Sequence, residues 1–199
     1  MKRRDFLALG AGGIAAGLSL GPASAAEPAV GLIERFYVAL KAVMQRTGNG
    51  SVAARAQGLA GPVNSTFDIP GMARLAIGSH LSNVGGQQGA ITQAFGKFLV
   101  ASYAKQFGAY GGERFDVLPQ TEKRRIGTLV RTKIIDAGGR STDVDYIVGS
   151  SGRSIDIYLN SSVSELASRR AEFDSLLSSG GATALLSSLR ERTDRLLAS

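Results

Sequence analysis

With 199 residues, the chain is long enough for a domain with a real core, and its formal charge of +7 is modest. It has no cysteine, no tryptophan and one histidine, so thiol catalysis, cysteine metal sites, disulfides and multi-histidine metal sites are excluded, and any Ser-His-Asp triad must run through His80. The cations are spread along the chain except at Lys123-Arg124-Arg125, without the basic stripe and stacking aromatics of a nucleic-acid binder; mild attraction to anionic lipid headgroups suits them better.

The chain opens Met1-Lys2-Arg3-Arg4 and continues into an uncharged, glycine-rich run from Ala8 to Leu20. The run closes on Pro22-Ala23-Ser24-Ala25. This is the basic segment, short apolar segment and small-x-small cleavage pattern of a secretory signal. A membrane span needs about 20 apolar residues, and this run is too short and too rich in glycine. Arg3-Arg4 followed by Phe6-Leu7 resembles the twin-arginine export motif; an ordinary signal holding two arginines is the alternative. The expectation is a leader over 1–25, removed on export to the periplasm, and one mature domain over 26–199. Gly10-Ala11-Gly12-Gly13-Ile14-Ala15 has the spacing of a dinucleotide loop, but no strand precedes it and it falls in the leader, so no such site is expected.

From Ala29 to about Arg46, Leu32, Ile33, Phe36, Tyr37, Leu40 and Met44 recur on one helix face, and Thr47-Gly48-Asn49-Gly50 stops the helix. A second helix is expected from Ser51 to about Phe67, weakened at Gly58 and Gly61-Pro62. Asp68 can cap a third, short helix with Pro70 in its first turn, ending near Ile77. Gly78 to Gly86 reads as a loop containing His80. The strongest helix runs from Gln87 to Phe107, with Ile91, Phe95, Phe98, Leu99, Tyr103 and Phe107 in one stripe.

After Gly111-Gly112 the period changes. Arg114 to Leu118 starts a strand, Pro119 to Arg124 reads as a polar turn, and 125–135 alternates with Ile126, Thr128, Val130, Thr132 and Ile134 on one face. Asp136-Ala137-Gly138-Gly139 is a hairpin turn. Val144, Tyr146 and Val148 then alternate with Asp143 and Asp145, and Ile155, Ile157 and Leu159 with Asp156 and Tyr158. Asp143 and Asp145 could do acid–base work or bind a cation; the plainer reading is the solvated face of an edge strand, paired across the sheet with Arg131 and Lys133. Two helices close the chain, the first capped by Ser162 or Ser164 and ended by Gly180-Gly181, the second from about Thr183 to Leu197. Helices, meander, helices make an α+β fold: a curved four-stranded antiparallel sheet with helices on its apolar face.

Several stretches in this order resemble one family. They are Phe67-Asp68-Ile69-Pro70-Gly71-Met72-Ala73-Arg74-Leu75-Ala76-Ile77-Gly78, Phe98 to Phe107, Tyr110 to Phe115, Val130-Arg131-Thr132-Lys133, Asp156-Ile157-Tyr158-Leu159, and Ser164-Glu165-Leu166 with Arg169-Arg170-Ala171-Glu172-Phe173. Together, over roughly 30–190, they resemble the MlaC or toluene-tolerance family of periplasmic lipid carriers, and the last run is closest to its hopanoid-associated HpnM branch. The resemblance implies a helix-and-sheet cup enclosing a hydrophobic cavity, with acyl chains inside and a headgroup outside. Its ligand would be a phospholipid or hopanoid, with no cofactor and no catalysis. It also implies service to an inner-membrane ABC-transporter complex, an outer-membrane lipoprotein complex as a further partner, and a monomeric state. The cavity walls would be Phe95, Phe98, Leu99, Tyr103, Val130, Ile134, Val144, Tyr146, Val148, Ile155, Ile157 and Phe173. Without the resemblance the same stripe reads as plain core. The chain departs from the family where a Trp is frequent: Gly78-Ser79-His80-Leu81 and Gly152-Arg153 hold none. An enzyme using His80 on an apolar substrate, and an adaptor subunit without ligand, are the competing readings.

Overall fold

The computed structural model describes residues 26–199; the export-signal expectation lies outside the described residues. Helix α1 spans Ala26–Thr47 and buries Ile33, Phe36, Tyr37, Leu40 and Met44, the face its spacing predicts. Helix α2, Val52–Thr66, starts at Ser51, whose side chain accepts from the Ala54 N–H. Gly58 reads as a weak point but marks a close approach: a Cβ there would sit 2.9 Å from Cγ1 of Val43 on α1. Arg55 is buried on α2, its Nε donating to the Ala104 carbonyl in the last turn of the fourth helix. A cation at a helix C-terminus meets the negative end of the dipole.

Asp68 caps α3, Ile69–Ile77, with Oδ1 accepting from the Gly71 N–H at 3.0 Å and Pro70 in the first turn. The expected loop is two short 3-10 turns, Gly78–Ser82 and Gly85–Gln87. Helix α4 runs Gln88–Gln106.

The sheet has five strands, not four: β1 Arg114–Arg124, β2 Gly127–Ile135, β3 Ser141–Val148, β4 Ser154–Leu159 and β5 Val163–Ser164, in that order and all antiparallel. The extra strand is two residues long, too short to show an alternation, and pairs with Tyr158 and Leu159 after a turn in which Asn160 and Ser161 both take positive φ. The expected polar turn at 119–124 is also strand. The register shifts between Val117 and Thr121, around Pro119, on the sheet's edge strand, where a residue without an N–H costs no ladder bond.

The last helix, α5, spans Glu165–Leu197 and breaks at Gly181, where φ is 64°. Arg192 pairs with Glu172. In a straight helix these residues would be about 30 Å apart, so the two halves fold back on each other. Arg169 reaches Glu165 and Glu172 from the first half, and the guanidiniums of Arg169 and Arg192 lie 5.1 and 4.6 Å from the centre of the Phe98 ring.

The helices cover the sheet face that carries Val130, Val144, Tyr146, Val148 and Ile157. The opposite face is less solvated than the alternation suggests. Leu129 and Ile147, cross-strand partners, are buried, and so are Asp145 and Asp156, each 3 % exposed. Asp156 belongs to the helix start: Oδ1 accepts from the N–H groups of Ile157 (2.7 Å) and Leu166 (3.0 Å), and Oδ2 from the Ser164 hydroxyl (2.7 Å). Ser164 in turn accepts from the Ala167 N–H, so one carboxylate ties β4, β5 and α5 together. Replacing it removes the acceptor of two buried N–H groups and a hydroxyl. Asp156→Ala should lower stability by about 3 kcal/mol, read as a fall in urea midpoint, with Asp156→Asn losing less.

Candidate ligand-binding interior

Nine of the twelve expected wall residues lie in one continuous buried cluster: Phe95, Phe98 and Tyr103 from α4, Val130 from β2, Val144, Tyr146 and Val148 from β3, Ile157 from β4 and Phe173 from α5. Leu99 and Ile134 pack against its edge. Ile155 does not join it. Val148 pairs with Ser154 while Ile147 pairs with Asp156, so Ile155 is the extra residue of a bulge and rests on Gly149 instead.

The nine cluster members are 0 to 9 % exposed. Walls standing apart around a roomy chamber would keep accessible surface toward it; these touch one another instead, so the interior is filled by its own side chains. Two open grooves lie outside it. One, about 540 Å³, sits between α2, α3, α4 and the end of α5, with Ala60, Ile69, Gly96 and Leu197 among its walls. The other, about 520 Å³, lies between α1 and β1 and is lined by Tyr37, Val38, Lys41, Tyr110, Phe115 and Val117 among others. None of the twelve residues lines either groove.

The cluster's centre is aromatic and carries a polar thread that the sequence reading missed. Phe36 meets Phe67 and Tyr103 edge-on, both at 5.4 Å between ring centres, and Tyr37 stacks on Phe115 at 4.9 Å. Between β2 and β3 the paired residues skip from Val130–Tyr146 to Lys133–Asp143. In the gap the Thr132 N–H donates to Oδ1 of Asp145 (3.3 Å), and the Thr132 hydroxyl donates to the Val144 carbonyl. That leaves Thr132 Oγ1 as acceptor for Tyr37 (2.7 Å), whose oxygen accepts from Tyr146 (3.1 Å). Asp145 is therefore part of the sheet's bonding and not a solvated carboxylate. Only Asp143 makes the expected cross-strand pair, with Lys133 at 2.8 Å; Arg131 turns to Glu122. The available signal was Thr132, a hydroxyl on the same strand face as Val130 and Ile134, together with tyrosines at inward positions on two other elements. Buried hydroxyls need partners.

Burial pushes the Tyr37 phenol up to about 12 against the lowering effect of its bonds to Thr132 and Tyr146. Tyr103 is also pushed up, by burial and then by Tyr37, and Tyr146 by burial and then by Tyr103.

His80 lies outside this interior. Its Nε2 is 2.9 Å from Oδ1 of the exposed Asp174, and no serine hydroxyl among the described residues is hydrogen-bonded to it. The nucleophile that a triad needs is not in place.

The MlaC protein family model matches residues 36–191 of the chain. The chain belongs to the MlaC family. Among solved structures it is similar to a phospholipid-binding protein from Ralstonia solanacearum in complex with a phospholipid, with a TM-score of 0.73 at 18 % identity, covering 84 % of this chain and 98 % of that one. At that identity the likeness establishes the shared α+β fold. No curated protein matches the chain. The membership rests on that match, and all of the ordered stretches that carry the resemblance fall inside the matched region.

The phenols give a pH test. Raised pKa values favour the protonated form in the folded state, so their contribution is complete below the unfolded value of 10 and is lost as pH rises from there through about 12. For Tyr37 alone this amounts to roughly 2–3 kcal/mol. Stability to urea should fall steeply across that window. The phenolate absorbance of Tyr37, Tyr103 and Tyr146 should appear in the same step as loss of circular dichroism.

Proposed function

We propose that the mature domain is a periplasmic lipid carrier without catalytic activity, taking a phospholipid or a hopanoid and serving an ABC-transporter-linked route between membranes, with an outer-membrane complex as the other terminus. The observation that carries this reading is family membership joined to the fold shared with a protein that holds a phospholipid. The cluster supports it chemically. Its walls are aliphatic and aromatic, and each methylene buried among such groups contributes about 0.8 kcal/mol, so a chain of about 15 carbons gains on the order of 10 kcal/mol. That holds a lipid against loss to water yet leaves transfer to another apolar acceptor nearly neutral.

For a chain to enter, the helices must part from the sheet, because the same side chains now fill the space. The Ser164-to-Phe173 run favours the HpnM branch and hence a hopanoid, and the missing tryptophans at 78–81 and 152–153 distinguish the rim from that of other carriers. The filled interior favours a second reading, an adaptor subunit that holds no lipid.

Extraction decides between them. Protein purified from a bacterial host should yield lipid in an organic extract by mass spectrometry; no lipid, together with capture of a transporter subunit, selects the adaptor. Val144→Trp and Ile157→Trp should keep the circular dichroism spectrum, at an overpacking cost of about 1–3 kcal/mol, and cut recovered lipid at least about tenfold. Normal loading in both would remove these walls from the site.

The leader is tested separately. Replacing Arg3 and Arg4 by lysine should stop export on the twin-arginine route, seen as loss of periplasmic protein; unimpaired export would make it an ordinary signal.

A further inference from the structure

Charge is segregated along the strands of the sheet. At the end where β1 begins and β2 closes, cations and carboxylates are matched one to one: Arg114 with Asp116 (2.9 Å), Lys133 with Asp143 (2.8 Å), Arg140 with Asp136 (3.0 Å). At the opposite end they are not. Arg124 and Arg131 share Glu122, and among the described residues Lys123 has only the Thr128 hydroxyl. Arg125 and Arg153 have no carboxylate partner among the described residues. The other acids of the described residues near this end are engaged elsewhere. Asp68 is held by the α3 cap and by the Ser151 hydroxyl. Asp156, in the same cross-strand row as Glu122, is buried in its bonds to Ile157, Ser164 and Leu166.

These cations surround an exposed apolar apex. Arg125 and Ile126 form the two-residue turn between β1 and β2, and Ile126 is 43 % exposed. The turn is braced. A Cβ on Gly127 would lie 2.4 Å from the Val148 carbonyl oxygen, so the base of the hairpin presses on the end of β3, and only glycine fits there. Gly127, Val148 and Ser154 occupy neighbouring strand ends, which brings Arg153 within about 10 Å of the turn.

We propose that this end of the sheet, Lys123, Arg124, Arg125 and Arg153 around Ile126, docks the protein on an anionic membrane surface. The cations would face headgroup phosphates while the isoleucine enters the headgroup–acyl boundary. A rigid hairpin with an apolar tip and a basic collar has the layout of an interfacial anchor in miniature. Each basic residue near an anionic bilayer strengthens binding roughly fivefold, and the effect decays within a Debye length, about 10 Å at 0.1 M salt. The attachment is therefore weak and reversible, as suits a molecule that must leave again. Surface attachment does not depend on what the interior holds, and lipid recovery and vesicle binding are separate readouts.

The chain has no tryptophan, so Ile126→Trp places a single reporter at the apex. With vesicles of equimolar phosphatidylglycerol and phosphatidylcholine, its emission should shift to the blue and rise, and salt should reverse the change. Vesicles of phosphatidylcholine alone should leave it unmoved. In co-sedimentation of the otherwise unaltered protein, Lys123→Glu with Arg125→Glu should lower the bound fraction at least about tenfold, whereas Arg140→Glu at the matched end should not. These positions are exposed, and circular dichroism confirms the fold of each variant. No shift with anionic vesicles, an equal shift with neutral ones, or an equal loss from Arg140→Glu would overturn the proposal. So would retention by an acidic partner protein with no vesicle binding.

Discussion

The ladder between β2 and β3 opens at Thr132, and the arrangement of the interior follows from how the gap is closed. A buried backbone N–H and carbonyl cannot be left unpaired without a cost of about 1–3 kcal/mol each. Here side chains close the gap: Asp145 takes the N–H, and the Thr132 hydroxyl gives its proton to the Val144 carbonyl. Spending that proton turns Thr132 into an acceptor, which draws the Tyr37 hydroxyl from α1, and Tyr37 in turn accepts from Tyr146. A local opening in the sheet thus becomes the point at which the first helix is fastened to it.

That fastening orders the aromatic packing around it. With its hydroxyl held, the Tyr37 ring stacks on Phe115 at the start of β1, and the adjacent Phe36 is set edge-on to Phe67 and Tyr103. Helices α1 and α4, the junction between α2 and α3, and the sheet meet there. Admitting an acyl chain means separating these contacts. The helix side of the cluster also leans on α5, whose folded-back halves are clasped by Arg169, Glu172 and Arg192 over Phe98. The interior is therefore bounded by a hydroxyl thread at α1 and an ionic clasp at α5, with van der Waals contact between.

Most of the helical framework was legible because helix signals are local. Ser51, Asp68 and Ser164 sit where short polar residues precede an apolar period, and each makes the cap bond its position implies. Gly181 breaks the last helix where a glycine pair interrupts the pattern. The sheet was legible in its period and not in its irregularities. Pro119 punctuates a strand as readily as it ends one, and only the pairing with β2 shows that β1 continues to Arg124. The bulge beside Ile155 turns one residue out of an otherwise faithful alternation. Asp145 and Asp156 read as solvent-facing because a carboxylate in an alternating strand usually is; their partners, Thr132 and Leu166, lie 13 and 10 residues away and become neighbours only through folding.

The candidate site has the same character. Nine of its residues came from two simple periods and do converge, because a cluster built of apolar stripes leaves its signature in every stripe. What periodicity cannot reveal is whether the stripes touch one another or stand apart. Both arrangements use the same residues on the same faces; they differ only in the gap between layers, which the hydrophobic effect closes whenever nothing apolar fills it. A protein whose walls also make a good core keeps its apolar surface from water in either arrangement. The sequence requirements for holding a lipid and for packing a core then coincide, and the distinction moves to the polar groups at the margins. Thr132, Tyr37 and the Arg169–Glu172–Arg192 clasp are the polar groups at those margins here; bonds of this kind can be exchanged for water at small net cost, whereas apolar contacts can be exchanged only for other apolar contacts.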